Sequence, residues 1–397
     1  MSRLIINLDA LRSNLTRINR LMEDHGAQWT AVTKVLCGNG EVLHALSNMG
    51  VRSVGDSRFA NLRAVRRRFA HPEIWYLRIP SLTNCDKVVA FAQTSLNSEL
   101  ETIVRLDEAA ARHGIKHHII IMIELGDLRE GILPGALVEF YESVFRLPHI
   151  EVLGIGTNLG CLTGVPPSPD QLMQLVLYRE LLELKFNKKL PLISAGSSVV
   201  LPMLMDGQVP KAVNHFRIGE ALFLGTDLLQ GGTLPGFRDD VILLEAEIVE
   251  LKEKGLTTQG ETGVTSPFPG VGELEALSFQ RGFRALVDMG QLDADIAGLT
   301  PANNDHQIAG ASSDITVVNL GRNPENLCVG SRITFRMNYA ALLRLMSSRY
   351  VPKCVTRESH LGTEKIHPSH PIISHIKGIP EKPNGMLTDN QPVRKIC

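Results

Sequence analysis

A chain of 397 residues with 44% hydrophobic composition has enough apolar material for a large core, and its length predicts two or three domains. Its 41 basic and 42 acidic residues give a formal net charge of −1 without a long run of one sign, which argues against nucleic acid or an anionic membrane as partner and for a small ligand. Six scattered cysteines without CxxC spacing argue against a zinc site or a disulfide scaffold, and no segment has signal-peptide or membrane-spanning character, so a soluble, cytoplasmic protein with no metal site is expected.

From Asp9 to Gly26 the apolar positions Leu11, Leu15, Ile18 and Leu21 or Met22 recur at helical spacing, and Gly26 closes the segment as a C-cap would. Eight β-like runs follow: Thr30 to Lys34, Ser53 to Asp56, Ile74 to Ile79, Thr94 to Ser98, Ile119 to Glu124, Val152 to Thr157, Leu192 to Ala195 and His215 to Ile218. Between them lie amphipathic stretches such as EVLHALSNMG, ELETIVRLDEAAARHG and PDQLMQLVLYRELLELKF, the last opened by Ser168, Pro169 and Gln171 in capping-box spacing. Such alternation predicts an α/β fold, a (β/α)8 TIM-type barrel over residues 1–225, with its chemistry at the carboxyl-terminal strand ends. After Gly225 the runs Val241 to Leu251, Phe283 to Met289, Ile308 to Ala311, Ile315 to Leu320 and Arg332 to Asn338 predict a mainly β C-terminal domain over 226–350. Residues 351–397 are Pro-rich and aperiodic and read as an extended or disordered tail, whose His360, His367, His370 and His375 have no metal-site spacing.

The predicted strand ends carry Lys34, Asp56, Arg78, Glu124 with Arg129 just beyond, Asn158, the segment Ser194 to Ser198, and Arg217. Most lysines are solvated surface groups, but Lys34 falls where a strand gives way to a loop, and an amine there can form a Schiff base. Barrels of this kind often hold phosphate at the loops after strands seven and eight, where Ala195, Gly196 and Gly219 are small and Ser197 and Ser198 can donate. A reactive lysine and a phosphate loop on one mouth together imply a phosphorylated aldehyde cofactor.

The segments TKVLCG, DSR, ELGDLREGI, GIGTNLGC, ISAGSS, NHFRIGEALFLG and GASSDITVVNLG resemble the PLP-dependent alanine racemase-like proteins of fold type III, in particular the ornithine racemase-like branch, over about residues 3 to 350. The resemblance implies pyridoxal 5'-phosphate as cofactor, with Lys34 as its Schiff-base lysine and one catalytic base. It implies further that Arg129 lies near the phenolic oxygen, Asn158 lines the ring where alanine racemases have histidine, and Ser197 and Ser198 belong to the phosphate loop, beside which Gly219 would let the backbone approach the anion. Arg217 would face the pyridine nitrogen and Tyr339 would stand beside the phosphate. Taken singly, Arg129 and Arg217 read as solvated or ion-paired groups and Asn158 as a turn cap. Gln291 occupies the place of the tyrosine that serves alanine racemases as opposite-face base, and glutamine cannot be a base, so Asp314 is the leading candidate for an acidic role, with Asp293 and Asp295 nearby. The expected activity is amino-acid racemisation in a homodimer, on ornithine or another basic amino acid, whose distal cation the acidic segments QLDAD and SSD would select. The alternatives are a fold type III decarboxylase or aldolase, and a non-catalytic PLP-binding homeostasis protein, against which the appended β segment speaks.

Overall fold

The computed structural model describes residues 1–160, 162, 164–256 and 281–357. The first strand, β1 (Arg3–Asn7), leads directly into helix Leu8–His25. Asn7 caps that helix, its side chain accepting from the backbone N–H groups of Asp9 and Ala10 at 3.0 and 3.1 Å. Gly26 ends it in the left-handed region at φ 74°, where a Cβ would be strained.

Eight parallel strands then close a barrel in sequence order. They are β2 (Gln28–Val32), β3 (Ser53–Asp56), β4 (Glu73–Tyr76), β5 (Thr94–Asn97), β6 (His117–Met122), β7 (Ile150–Gly156), β8 (Leu192–Ser197) and β9 (His215–Ile218). Each predicted run falls on one of them, with ends displaced by a few residues. Such strands are buried on both faces, which explains their continuous apolar runs. On β6, Ile119 and Ile121 join the main core, whereas Ile120 and Met122 pack inside the barrel with Trp75 and Leu96. Helix Pro169–Phe186 opens with the Ser168 and Gln171 capping box that the sequence predicts.

The remaining strands form a separate, largely antiparallel sheet of eight strands among the described residues. It comprises β10 (Ile242–Gly255), β11 (Arg281–Val287), β12 (Leu299–Pro301), β13 (Gln307–Ala311), β14 (Thr316–Asn319), β15 (Arg332–Met337), β16 (Lys353–Thr356) and also β1. Two elements differ from the sequence reading. β1, placed there with the barrel, pairs antiparallel with β10 and parallel with β16. β16 itself falls in the segment read as a tail. Leu4 and Ile6 on β1 are fully buried, each such burial contributing roughly 1.5–3 kcal/mol, and with the ladder bonds to β10 and β16 they fix the strand against partners remote in sequence. The tail beyond residue 357 and its four histidines lie outside the described residues, as do Cys161 and Cys397. No helix among the described residues is long and apolar enough to cross a membrane.

Candidate active site

Lys34 does not end the strand, as the sequence reading has it; β2 stops at Val32, and Lys34 begins a 3-10 turn, Lys34–Leu36. Thr33 makes the transition, leaving the extended region at φ −95°, ψ 7°, while its N–H still bonds the Gly55 carbonyl at 2.9 Å. Its hydroxyl donates to the Asp56 carboxylate at 3.2 Å. That carboxylate is fully buried and also accepts from the N–H groups of Ser57 and Arg58 and from the Asn61 amide. Burial pushes Asp56 upward from its ordinary pKa, against four donors that pull it down. The carboxylate thereby ties the end of β3 to the residue preceding Lys34. On the other side of the turn packs helix Tyr339–Ser347, which begins at half-buried Tyr339 and is capped by the Asn338 side chain.

Arg217 on β9 is 6% exposed, and its guanidinium donates to oxygens within β8 and just beyond the end of β7. Nη1 donates to the Ser194 carbonyl at 2.7 Å and to the Ser194 hydroxyl, and Nη2 donates to the Thr157 carbonyl at 2.8 Å and to Asn158 Oδ1 at 2.7 Å. The Asn158 amide donates in turn to Glu130, which also receives Arg129 Nε and, at 2.6 Å, Arg129 Nη2. Arg129, Asn158 and Arg217 are thus joined in one chain of bonds.

A second chain leaves Ser194 in the opposite direction. Its hydroxyl lies 2.8 Å from His215 Nδ1, and His215 Nε2 lies 3.0 Å from the Thr30 hydroxyl, which is 2.8 Å from Ser53 Oγ. The guanidinium can only donate to Ser194 Oγ, and the serine can pass its own proton to Nδ1. Burial, and secondarily the Arg217 charge, lowers the His215 pKa to about 3, so the ring is neutral in the physiological range. His215 also stacks on Trp75 with ring centroids 4.2 Å apart.

The loops after β8 and β9 meet where a phosphate loop is expected. Ser198 is buried, and its Oγ accepts the Ala221 N–H at 3.1 Å, which leaves its own proton to donate. Gly196 packs so closely that a Cβ would stand 1.8 Å from a Phe216 ring carbon, and a Cβ on Gly219 would come within 3.1 Å of the Val32 carbonyl. A Cβ at Gly196 has no room, and one at Gly219 would press on the end of β2. Next to it, burial raises the Glu220 pKa to about 7. A carboxyl whose folded pKa lies above its ordinary 4.5 contributes stability at low pH that is lost as pH rises through 7. Glu220→Gln should therefore match the wild type in denaturant unfolding at pH 4 and exceed it at pH 8 by about 1–2 kcal/mol, allowing for partial solvent screening; equal stability at both pH values would remove Glu220 as a buried acid.

Asp314 is not part of this cluster. It lies exposed on the turn between β13 and β14, its carboxylate accepting from the Ser313 hydroxyl at 2.7 Å. Backbone bonds from Gln291 and Leu292 to the Ser312 and Ser313 carbonyls join the QLDAD and SSD segments, and Arg344, from the helix packed on the Lys34 turn, donates to the Gln291 carbonyl. Arg78 is exposed in the loop after β4, and Glu124 turns its carboxylate back onto the N–H groups of Leu128 and Arg129. Sequence reasoning missed Glu130 and His215: an acid beside an arginine in a loop looks like a solvated pair, and a histidine at a strand start looks like core.

Residues 6–227 match the family model described as alanine racemase, N-terminal domain. The chain is 36% identical to an ornithine racemase of Acetoanaerobium sticklandii over 88% of its length and 98% of that protein, and 29% identical to a lysine racemase of Thermotoga maritima over 88% and 97%. Among solved structures, an alanine racemase of Bartonella henselae with covalently bound pyridoxal phosphate superposes with a TM-score of 0.67, covering 89% of this chain and 99% of that one at 13% identity, a likeness of fold.

Proposed function

The chain belongs to the alanine racemase N-terminal domain family, and from that premise we propose that it is a pyridoxal phosphate-dependent racemase whose substrate is a basic amino acid. The observation that carries the reading is the 36% identity to an ornithine racemase along nearly the whole chain, supported by the second relative, a lysine racemase. The residues at the barrel mouth suit the cofactor. Ser197, Ser198 and the bare backbone at Gly219 would hold its phosphate with Tyr339 alongside, Arg129 and Asn158 would flank its ring, and Arg217 would meet its pyridine nitrogen. When bound, pyridoxal phosphate withdraws electrons from the substrate Cα and so eases removal of its proton.

Lys34 would take and return that proton on one face of Cα. Arg217 stays charged and keeps its protons, so it limits how far electrons are drawn into the ring and favours simple reprotonation over transfer of the amino group. In this reading the barrel to about residue 225 holds the cofactor, and the β unit from 226 to 350, extended by β1 and β16, supplies the opposite-face acid or base and the selectivity, within a cytoplasmic homodimer whose sheets cover the partner barrels. Asp314, on an exposed turn, suits reception of a substrate's distal ammonium or an acid/base role from such a neighbouring position.

Incubating the holoprotein with L-ornithine, L-lysine or L-alanine in D2O tests this. Deuterium is expected at Cα with inversion, faster for the two cationic substrates by about 10-fold or more if a carboxylate receives the distal charge. Asp314→Asn should then raise KM for ornithine and lysine but not for alanine, or slow exchange in one direction more than the other. Release of CO2 or an aldehyde without inversion would replace the racemase by a lyase.

A further inference from the structure

We infer that Glu130 is a positioning residue for this site: its carboxylate orients Asn158 and Arg129, and through Asn158 it fixes the guanidinium of Arg217. The inference rests on the racemase reading above. Glu130 Oε1 accepts from both Asn158 Nδ2 and Arg129 Nη2, and Oε2 accepts from Arg129 Nε. A bare Arg–Glu pair at a surface contributes little. Here the pair has a third member 28 residues away, on the end of another strand, and that member bonds a cation that is only 6% exposed.

The chemistry of the two ends leaves the asparagine a single orientation. Its carbonyl must face the guanidinium and its amide nitrogen the carboxylate, because a flipped amide would set N–H against N–H and oxygen against oxygen. Without Glu130 that preference is lost on one side, and Arg217 Nη2 keeps a partner that is free to turn. Two guanidinium charges, on Arg129 and Arg217, then flank the cofactor position with no carboxylate bridging them.

The loop that carries Glu130 is built to hold still. Glu124 accepts the N–H groups of Leu128 at 3.1 Å and Arg129 at 3.0 Å, and reciprocal backbone bonds, Ile132 N–H to Met122 O and Glu124 N–H to Ile132 O, return the chain to the end of β6. Gly131 sits at φ 149°, and a Cβ there would stand 2.3 Å from the Glu124 nitrogen, so only glycine permits this closure. The carboxylate thus projects from a residue adjoining a backbone clamp, and its position is set by the strand rather than by solvent.

Glu130→Gln keeps the side chain's size but turns one acceptor into a donor that faces Arg129. Relative to wild type, E130Q should bind pyridoxal phosphate about 10-fold more weakly as apoprotein, measured by fluorescence titration, shift the bound cofactor's absorption maximum, and lose about 10- to 100-fold in kcat/KM. Glu130→Asp, which keeps the charge, should recover part of each loss. Because Glu130 acts in part through Asn158, the double variant E130Q/N158A should lose clearly less cofactor affinity than the two single losses combined. Additive losses would overturn the inference, as would an E130Q protein with wild-type affinity and spectrum. A lowered Tm with cofactor affinity and kcat/KM per folded molecule intact would make Glu130 a loop staple only. The two claims fail separately: absence of inversion in the wild type removes the racemase reading, whereas cofactor affinity, spectrum and the double variant decide Glu130 without reference to turnover.

Discussion

Lys34→Ala is expected to reduce racemisation by at least the 10²–10⁴-fold that a positioned acid–base group contributes, and further if the same amine is, as proposed, the covalent anchor for the cofactor. Borohydride reduction of the wild type followed by peptide mapping should place the pyridoxyl label on Lys34. The fold should survive, since Lys34 opens a short turn whose apolar members, Val35 and Leu36, remain buried, and since Thr33 stays held by Asp56 and Gly55. Thermal unfolding of the apoprotein should therefore change little. A label on another lysine, or a Lys34→Ala protein that still inverts its substrate at the wild-type rate, would end the assignment.

The barrel was legible because each of its strands is a short apolar run between helices whose caps and periods are local signals. Gly26, Ser168 and Gln171 do in the structure what their residue types announce. β1 and β16 were not legible, since their pairing joins residues about 350 apart, and a five-residue alternation beside a strong helix carries no information about a partner at the other end of the chain. The site divides in the same way. Lys34, Ser197, Ser198, Gly219 and Arg217 stand out from strand-end position and small-residue spacing. Glu130 and His215 become visible only when closure of the barrel sets Asn158 between Glu130 and Arg217, and Ser194 between Arg217 and His215.

Arg217→Glu is the most informative substitution of a buried group, because two effects compete and their sizes decide what is seen. By chemistry alone, an acidic partner at the pyridine nitrogen would strengthen electron withdrawal, slow the return of the proton to Cα and raise the share of transamination. The structure adds a cost. The wild-type guanidinium donates to four acceptors, the Ser194 carbonyl and hydroxyl, the Thr157 carbonyl and Asn158 Oδ1, and a carboxylate in its place would face all four with nothing to give. Ser194 can rotate its proton, but it then abandons His215 Nδ1; Asn158 can flip, but it then turns its carbonyl on Glu130. Replacing one partner of a buried charged network in this way costs about 3–5 kcal/mol, a large part of the 5–15 kcal/mol that keeps a typical domain folded. Loss of stability should therefore dominate, and R217E should show a clearly lowered Tm before any gain in side reaction is resolved. Arg217→Lys, which keeps the charge but not the fork, and Arg217→Gln, which keeps one donor group without the charge, should fall between, giving an order of kcat/KM of wild type, R217K, R217Q, R217E. In the folded fraction of R217E, keto acid formed per inversion should rise. An R217E protein with wild-type Tm and wild-type product ratio would show that Arg217 neither braces the strand ends nor meets the cofactor.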